Sequence, residues 1–381
     1  MKPLKIEFYR HNISEQDIKN VTRVLKSIFL STGKVVDDFE KSFAAYLGCN
    51  NVVGTTSCTN SMQLSLEAFG IGRGDQVITT PLTFVATSNA ILHSGADPVF
   101  VDVESETGNM DADLIERAIT PKTKAILPVH LYGQMADMKK IRKIADRHNL
   151  KVVEDAAHCI EGERDGIKPG QLGDAACFSF YATKNITCGD GGAIALNDEE
   201  TSKTLKKMRL QGLEQSAYER YEKKFSSPDM TVDGWKYNMN NLQAALLVGQ
   251  LSRIEKLWQR REEICQKYEK AFTDIPGLNF PKTMPGVKNA RWSFTIWVNP
   301  RKKDEIQEKL KKKGIPTTNQ WSLPVHLMTF YRKKYGYKPG DFPNAEAISK
   351  RTITLPLYPK LKNQEVDFII SNVLEVVKQI S

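Results

Sequence analysis

Short apolar runs alternate with amphipathic segments from about residue 50 onward. Seven of the runs are typical of β-strands: NVVGTT, QVITTP, DPVFVDV, KAILPVH, KVVEDA, ACFSFYA and GAIALN. Several intervening segments, such as SMQLSLEAFGI and DMKKIRKIADRHN, carry apolar residues at the spacing of a helix. The alternation predicts an α/β fold with a mainly parallel, doubly wound sheet, in which ligands bind beyond the carboxyl ends of the strands.

The second half of the chain has a different pattern. A long helical stretch over residues 240–272 keeps three-to-four spacing of apolar residues, and we interpret it as a helical bridge between two domains. A Pro/Gly-rich stretch, a strand-like SFTIWV and two further helical patterns follow, which predicts a smaller α+β domain. We therefore predict a large domain over 1–250 and a small one over 251–381, with the N-terminal segment as a candidate to pack on the small domain.

The composition is that of a soluble globular protein, with 40% hydrophobic and 26% charged residues. Part of the net charge of +9 lies in helical stretches such as RKKDEIQEKLKKK, which we interpret as a solvated helix face. A mild field that favours an anionic substrate is the alternative. Nucleic-acid binding is not expected, because no zinc-finger spacing, RNP-like aromatic run or basic zipper helix accompanies the charge.

The N-terminal sequence, the length of the apolar runs and the spacing of the cysteines predict a cytoplasmic protein that does not bind membranes. The N-terminus lacks the apolar region of a signal peptide, and no apolar run reaches the roughly 18 residues of a membrane span. The six cysteines lie far apart and form no CxxC pair, which favours reduced thiols over a disulfide framework.

Two of the predicted strands lead to residues that could carry chemistry. KVVED ends in Asp155, and FSFYATK ends in Lys184. An acid and a lysine at the ends of neighbouring parallel strands would face one crevice. Pyridoxal phosphate (PLP) needs such a pair, because a lysine amine binds its aldehyde covalently and a carboxylate keeps its ring nitrogen protonated. An ordinary ion pair is the commoner explanation for two such residues taken alone.

Further segments could serve the same cofactor. TTSCTNS follows a strand and opens a helix, so Ser57, Cys58 and Thr59 would offer amides and hydroxyls to a phosphate, or simply cap the helix. Ser179 would direct its hydroxyl the same way, and Phe84 could cover the ring or pack in the core. No GxGxxG, GxxxxGKS/T or GxSxG motif competes, and the histidines lack HExxH spacing, so no catalytic metal is expected.

The stretch EDAAHCIEGERDGIKPGQLGDAACFSFYATKNITCGDGGAIALND resembles the central motif of the DegT/DnrJ/EryC1/StrS sugar aminotransferases. Ordered counterparts, among them LSTGKVVDDFEKSFAAYLG, PVHLYGQMADM and FPNAEAISKRTITLPLYP, extend the resemblance over essentially the whole chain. It implies a PLP-dependent transferase of fold type I, like aspartate aminotransferase, whose large domain holds a mainly parallel seven-stranded sheet. It also implies that an amino group passes from an amino acid, by resemblance L-glutamate, to a nucleotide-linked keto-sugar.

The resemblance assigns roles to individual residues. Lys184 matches the lysine that carries the cofactor, Asp155 the partner of its ring nitrogen, and His158 a residue near its phenolic oxygen. Four residues match the phosphate cradle, the second through its backbone amide: Ser57, Cys58, Thr59 and Ser179. Phe84 matches an aromatic residue over the ring. Asn238 matches an asparagine that the partner subunit supplies to the phosphate, which implies a homodimer with shared active sites.

The resemblance is weakest where the substrate would bind. Trp321 and His326 lie in a loop that would contact the sugar or the nucleotide, and Trp321 departs from the usual pattern, as does Trp292 in the stretch ARWSF. KNITC and WKYNMNNLQAA are most similar to enzymes that aminate UDP-linked 4-keto-sugars, so we expect such a substrate and a role in surface polysaccharide or glycan biosynthesis. Three alternatives stay open: a 3-keto-sugar acceptor, a sugar 3-dehydratase, in which histidine replaces the lysine, and a non-catalytic regulator that senses PLP or a sugar nucleotide.

Overall fold

The computed structural model describes residues 6–222, 227 and 229–380. The strands in these ranges are β1 (Asn51–Thr55), β2 (Gln76–Thr79), β3 (Asp97–Phe100), β4 (Thr123–Ile126), β5 (Lys151–Asp155), β6 (Glu163–Arg164), β7 (Ala175–Ser179), β8 (Gly192–Leu196), β9 (Leu278–Asn279), β10 (Val287–Lys288), β11 (Phe294–Val298) and β12 (Thr352–Leu355).

The α-helices in the same ranges are α1 (Glu15–Leu25), α2 (Lys34–Leu47), α3 (Cys58–Ala68), α4 (Val85–His93), α5 (Ile115–Ala118), α6 (Met138–Arg147), α7 (Glu199–Met208), α8 (Ala217–Glu222), α9 (Asn241–Leu251), α10 (Ile254–Phe272), α11 (Lys303–Lys312), α12 (Thr329–Tyr335), α13 (Pro343–Arg351) and α14 (Asn363–Ile380). Short 3-10 helices cover Ala112–Leu114, Leu131–Gly133 and Val325–Leu327.

The central sheet has seven strands in the order β1-β8-β7-β5-β4-β2-β3. The pairs from β7 through β5, β4 and β2 to β3 are parallel, whereas β8 runs antiparallel to both β7 and β1. All strands but β8 therefore share one direction. The seven strand predictions and the mainly parallel α/β sheet are confirmed.

Helices cover both faces of this sheet. Successive residues of a strand point to opposite sides. Ala176 and Phe178 of β7 accordingly pack in one core cluster with residues of α2 and α9, while Ala175 and Cys177 pack in another with residues of α3 and α7. Because helices bury both faces of the sheet, its strands consist mostly of apolar and small residues and do not alternate with polar ones.

The predicted helical stretch over 240–272 is interrupted in the structure. Asn240 caps α9 through a side chain that accepts from Gln243 N, and α9 ends at Leu251. Arg253 then leaves the helical region, with φ −121° and ψ 14°, before α10 begins. Its guanidinium forms an ion pair with the buried Asp17 of α1, which fixes the chain at the break. The predicted helical stretch therefore consists of two helices, α9 and α10, with a break between them.

A second, antiparallel sheet of order β12-β11-β9 follows in the C-terminal part. Its strands share a hydrophobic cluster with α10, α11 and α14, and Ile6 of the N-terminal segment packs in the same cluster. The boundary at residue 250 stays a prediction. Among the residues described, no helix is long and apolar enough to cross a membrane.

Candidate active site

The carboxyl ends of β5 and β7 lie side by side in the sheet. Asp155 closes β5 and pairs in register with Cys177 of β7, and Ser179 closes β7. Lys184 follows in the turn after that strand. These strand ends open into a cleft of about 470 Å³, which is within the usual size range of cofactor and ligand sites.

Most of the predicted site residues line this cleft. They are Ser57, Cys58, Thr59, Phe84, Asp155, His158, Ser179, Lys184 and Trp321. Thr87, Trp292 and Gln320 line it as well, although no motif had singled out Thr87 or Gln320. The structure thus brings the residues together, and their roles toward PLP remain predictions.

Asp155 is a buried carboxylate held by neutral donors. Its Oδ2 accepts a hydrogen bond from Thr87 Oγ1 at 2.8 Å, and its Oδ1 accepts from the backbone N of Ala157 at 3.1 Å. It makes no ion pair within the described ranges, and only 6% of its surface is exposed. A buried carboxylate of this kind suits a cationic ligand, because burying an unpaired charge is costly.

Lys184 extends its amine toward the aromatic side of the cleft. Its Nζ lies 4.3 Å from the ring centroid of Trp292. The backbone of the turn is fixed on both sides, since Lys184 N donates to Tyr181 O at 2.9 Å and Tyr9 Oη donates to Lys184 O at 3.1 Å. Burial lowers the pKa of Lys184 to about 8, and the negative charge of Asp155 opposes that shift. Roughly one tenth of the amine is therefore neutral and nucleophilic at pH 7, against less than about one thousandth for an ordinary lysine.

This lowered pKa predicts how cofactor capture depends on pH. We expect attachment of PLP to the cofactor-free protein to accelerate as the pH rises and to level off above about 8, because only the neutral amine reacts. An ordinary lysine, with a pKa of about 10.4, would keep accelerating beyond pH 9. Rapid-mixing absorbance measurements across this pH range test the prediction, with the free ε-amine of Nα-acetyl-lysine as the reference. A rate that still climbs in parallel with the reference amine contradicts it.

The amino-terminal end of α3 closes the polar side of the cleft. Ser57 is the N-cap, and its Oγ accepts from Asn60 N at 3.1 Å. Cys58 directs its thiol toward Cys177 O at 3.3 Å and Asp155 Oδ1 at 3.9 Å, so its backbone amide is the group that could serve a phosphate. Gly192 is required here, because a Cβ on it would lie 2.3 Å from the carbonyl carbon of Ser57. The first amides of a helix and its positive dipole end suit a phosphate dianion.

Aromatic side chains form the opposite wall. The rings of His158 and Trp292 are stacked, with centroids 3.6 Å apart and planes 3° apart. Trp321 lies 5.7 Å from His158 at 18°, and Phe84 lies 5.8 Å from Trp321. Burial holds the pKa of His158 well below its usual value, so the imidazole is neutral. Its Nδ1 is buried and has no hydrogen-bond partner among the described residues, which leaves it available to a ligand.

Two predicted site residues lie outside the cleft. His326 is fully buried, where Nε2 contacts Glu346 Oε1 at 3.2 Å and the ring packs edge-on against Phe342. The residue does not line the cleft, and its contact with the substrate stays a prediction. Asn238 lines a separate cavity beside β1, where its Oδ1 accepts from Lys236 Nζ at 2.7 Å.

A buried polar network behind Lys184 was not predicted. Asn185 Nδ2 donates to Glu161 Oε2 at 2.6 Å and to Ala290 O at 3.0 Å. The other oxygen of Glu161 accepts from Arg261 Nη2 of α10 at 2.5 Å. The network links the Lys184 turn to α10 and to the segment before Trp292. The sequence signal was the asparagine directly after the lysine.

The described residues fit PLP. Asp155 offers a carboxylate without a cationic partner, Lys184 an amine that is partly neutral, and the start of α3 a set of amides for a phosphate. The aromatic wall and the unpartnered Nδ1 of His158 complete a site for a flat, polar ring. This combination, at the strand ends of this sheet, defines the class of fold type I PLP-dependent enzymes.

Comparison with known proteins gives the family. The model of the DegT/DnrJ/EryC1/StrS aminotransferase family matches residues 11–374. The chain belongs to this family, which confirms the assignment made from the motifs.

Individual relatives agree over nearly the full length. The spore coat polysaccharide biosynthesis protein SpsC of Bacillus subtilis is 42% identical over 371 residues, covering 96% of this chain and 95% of the relative. The dTDP-3-amino-3,4,6-trideoxy-alpha-D-glucose transaminase of Micromonospora megalomicea is 37% identical over 362 residues, covering 94% and 93%.

A solved structure supports the cofactor. NtdA of Bacillus subtilis with bound cofactor PMP, the amino form of PLP, has a TM-score of 0.87 and 29% identity, covering 98% of this chain and 86% of that one. The fold type, the PLP cofactor and the enzyme class of PLP-dependent nucleotide-sugar aminotransferase are thereby confirmed.

Proposed function

We propose that this chain transfers the amino group of L-glutamate to C4 of a UDP-linked keto-sugar, and that the product enters a surface polysaccharide or glycan. The observation that carries the transamination is the convergence of Lys184, Asp155 and the start of α3 on one cleft. The choice of UDP and C4 rests on the similarity of the KNITC and WKYNMNNLQAA stretches to UDP-4-keto-sugar aminotransferases. The relative named for spore coat polysaccharide biosynthesis supports the pathway.

The residues divide the chemistry between them. Bound PLP supplies an aldehyde that captures amines and a protonated ring that withdraws electrons from the adjacent carbon. Asp155, fixed by Thr87 Oγ1, holds the proton on the ring nitrogen. Lys184 Nζ, released by the donor, takes the proton from Cα of glutamate. In the second half it returns a proton to the sugar carbon that receives the nitrogen, and its pKa of about 8 suits both directions near neutral pH.

We further propose a homodimer in which Asn238 reaches the phosphate in the partner's active site. Asn238 lies outside the cleft of its own chain, as a residue that serves another subunit would. Lys236 holds its Oδ1 at 2.7 Å.

A 3-keto-sugar acceptor is the second candidate. The Micromonospora relative is named for a 3-amino product on a dTDP-linked sugar. Both candidates use the same donor half-reaction, so they differ only in the acceptor.

Separating the two half-reactions decides among these possibilities. The purified protein is first converted with L-glutamate, which should shift its absorption from the PLP form to the PMP form. It is then mixed with UDP- and dTDP-linked 4-keto- and 3-keto-sugars, and NMR locates the nitrogen in each product. Nitrogen at C4 of a UDP-sugar is the expected result. Turnover of the dTDP-linked 3-keto-sugar alone would replace the proposal with the second candidate.

A further inference from the structure

The turn that carries Lys184 is tied on both sides to a segment of the C-terminal part of the chain. Directly after the lysine, Asn185 Nδ2 donates to Ala290 O at 3.0 Å. Directly before it, Thr183 O accepts from Trp292 Nε1 at 3.2 Å. The same contacts place the ring that the lysine faces, since Lys184 Nζ lies 4.3 Å from the ring centroid of Trp292. Two hydrogen bonds to residues 290–292 therefore flank the lysine.

The segment that receives these hydrogen bonds is itself fixed to α10. Trp258 Nε1 donates to Asn289 O at 2.8 Å. Arg291 forms ion pairs of 2.6 Å with both Glu262 and Glu269. Its φ of +51° lies in the left-handed region that residues other than glycine rarely adopt, and such a conformation persists only where the surroundings enforce it. The segment is thus a fixed point against which the turn can be held.

A buried ion pair orients the asparagine of this tie. Glu161 and Arg261 are 0% and 2% exposed, and Glu161 Oε1 accepts from Arg261 Nη2 at 2.5 Å. Glu161 Oε2 accepts from Asn185 Nδ2 at 2.6 Å, so the amide of Asn185 uses one hydrogen for Glu161 and the other for Ala290 O. Buried ion pairs often stabilise a fold no better than well-packed apolar residues do. Stability alone therefore does not account for this pair, which lies directly behind the lysine turn.

We infer that Asn185 and Glu161 are positioning residues for Lys184. Neither is among the described residues that line the cleft, so they act through the turn and not on a bound molecule. The long lysine side chain is flexible, and its amine is placed reproducibly only if the backbone that carries it is fixed. Asn185 ties that backbone to residues 290–292, and Glu161 orients Asn185. The inference rests on the proposed role of Lys184 as the residue that binds the cofactor.

Covalent attachment of PLP separates the position of the amine from the integrity of the cleft. PMP has no aldehyde and binds without a bond to lysine, whereas PLP must reach the amine. For Asn185→Ala we expect the rate constant of PLP attachment to the cofactor-free protein to fall about 10- to 100-fold, because a small displacement of a reacting group costs that much. The dissociation constant of PMP, measured by fluorescence titration, should stay within about threefold of native. In the PLP-loaded protein, the single-turnover rate with L-glutamate should fall by about the same factor as the rate of attachment.

A double variant tests whether Glu161 acts through Asn185. Glu161→Gln keeps one carbonyl oxygen for Asn185 Nδ2 and should slow PLP attachment less than Asn185→Ala does. Adding Glu161→Gln to Asn185→Ala should slow attachment no further, because the tie is already lost. Losses that multiply in the double variant overturn the link between the two residues.

Asn344→Ala is the matched control. Asn344 Nδ2 also donates to a backbone carbonyl, that of Val103, at 2.8 Å, and the residue is not among the described residues that line the cleft. Its removal should leave both PLP attachment and PMP binding near native values. Asn185→Ser replaces Asn185→Ala should that variant fail to fold, since a single hydroxyl hydrogen cannot serve two acceptors.

Two results overturn the inference. One is PLP attachment within about threefold of native in Asn185→Ala, and the other is PMP binding that weakens as much as attachment slows, which would indicate a general disturbance of the cleft. A different result refutes the proposed role of Lys184 instead. That result is PLP found on another lysine of the native protein, identified by borohydride reduction and peptide mass analysis.

Discussion

Replacing Lys184 with alanine will abolish both halves of the transamination while the fold is retained. The amine has two duties, because it binds the cofactor aldehyde covalently and moves a proton at the substrate carbon. General acid–base transfer alone contributes about 10²- to 10⁴-fold to such a step, so we expect turnover to fall by at least about 10⁴-fold. The side chain makes no ion pair with any described residue, so thermal stability should change little.

Three measurements separate this chemical role from a structural one. Single-turnover absorbance with L-glutamate should show no conversion in the variant. Borohydride reduction followed by peptide mass analysis should attach the cofactor to the Lys184 peptide of the native protein and to no peptide of the variant. Lys151→Ala removes another strand-associated lysine, one that pairs with Asp174 and lies over the Phe69 ring away from the cleft, and should behave as native. Turnover above about 1% of native in Lys184→Ala contradicts the assignment.

The residues at the strand ends were predictable because a strand and its end are marked by neighbouring residues in the sequence. The apolar runs that form β5 and β7 are bounded in sequence, and parallel strands place their ends at one edge of a sheet. Asp155, Ser179 and Lys184 could therefore be assigned to one crevice before any contact was known. The start of α3 was predictable for the same reason, since small hydroxyl residues after a strand indicate a helix N-terminus.

Features that depend on distant side chains could not be predicted. The break before α10 lies at Arg253, which pairs with Asp17 more than 200 positions earlier, while the apolar spacing continues across the break. His326 was expected at the substrate because, by resemblance, its loop would contact the sugar or the nucleotide, whereas in the structure the side chain is buried against Glu346 and Phe342. No periodicity encodes such contacts.

The aromatic wall of the cleft was also unpredictable, because it depends on side chains that are distant in sequence. The stack of His158 on Trp292 joins segments more than 130 positions apart, and the hydrogen bond from Thr87 of α4 to Asp155 of β5 joins residues 68 positions apart. Tryptophan in place of the usual pattern was visible in the sequence. The positive φ of Trp321, and the position of the Trp292 indole 4.3 Å from the Lys184 amine, required the fold.

Substituting Asp155 with asparagine will leave PLP bound but slow the chemistry. Asparagine keeps the size of the side chain and can still accept from Ala157 N, which donates to Asp155 Oδ1 at 3.1 Å. A neutral amide, however, cannot hold a proton on the ring nitrogen, so the electron-withdrawing form is no longer favoured. Losing one preorganised electrostatic contact costs about 10²- to 10³-fold in rate, and we expect a fall of that order in the glutamate half-reaction.

Thr87→Val is the graded control for this prediction, because it removes only the hydroxyl that donates to Asp155 Oδ2 at 2.8 Å. A hydrogen bond from a neutral donor to a charged group is worth about 1.5–3 kcal/mol, so the rate of the glutamate half-reaction should fall roughly 10- to 100-fold, less than in Asp155→Asn.

Asp155→Ala, which removes the carboxylate altogether, should also weaken cofactor binding, measured by titration of PLP fluorescence. The order Thr87→Val, Asp155→Asn, Asp155→Ala follows from a carboxylate that acts by its charge and is positioned by Thr87. An Asp155→Asn variant within about threefold of native in the glutamate half-reaction would show that the charge is not used, and the cleft would then have to protonate the ring from another group.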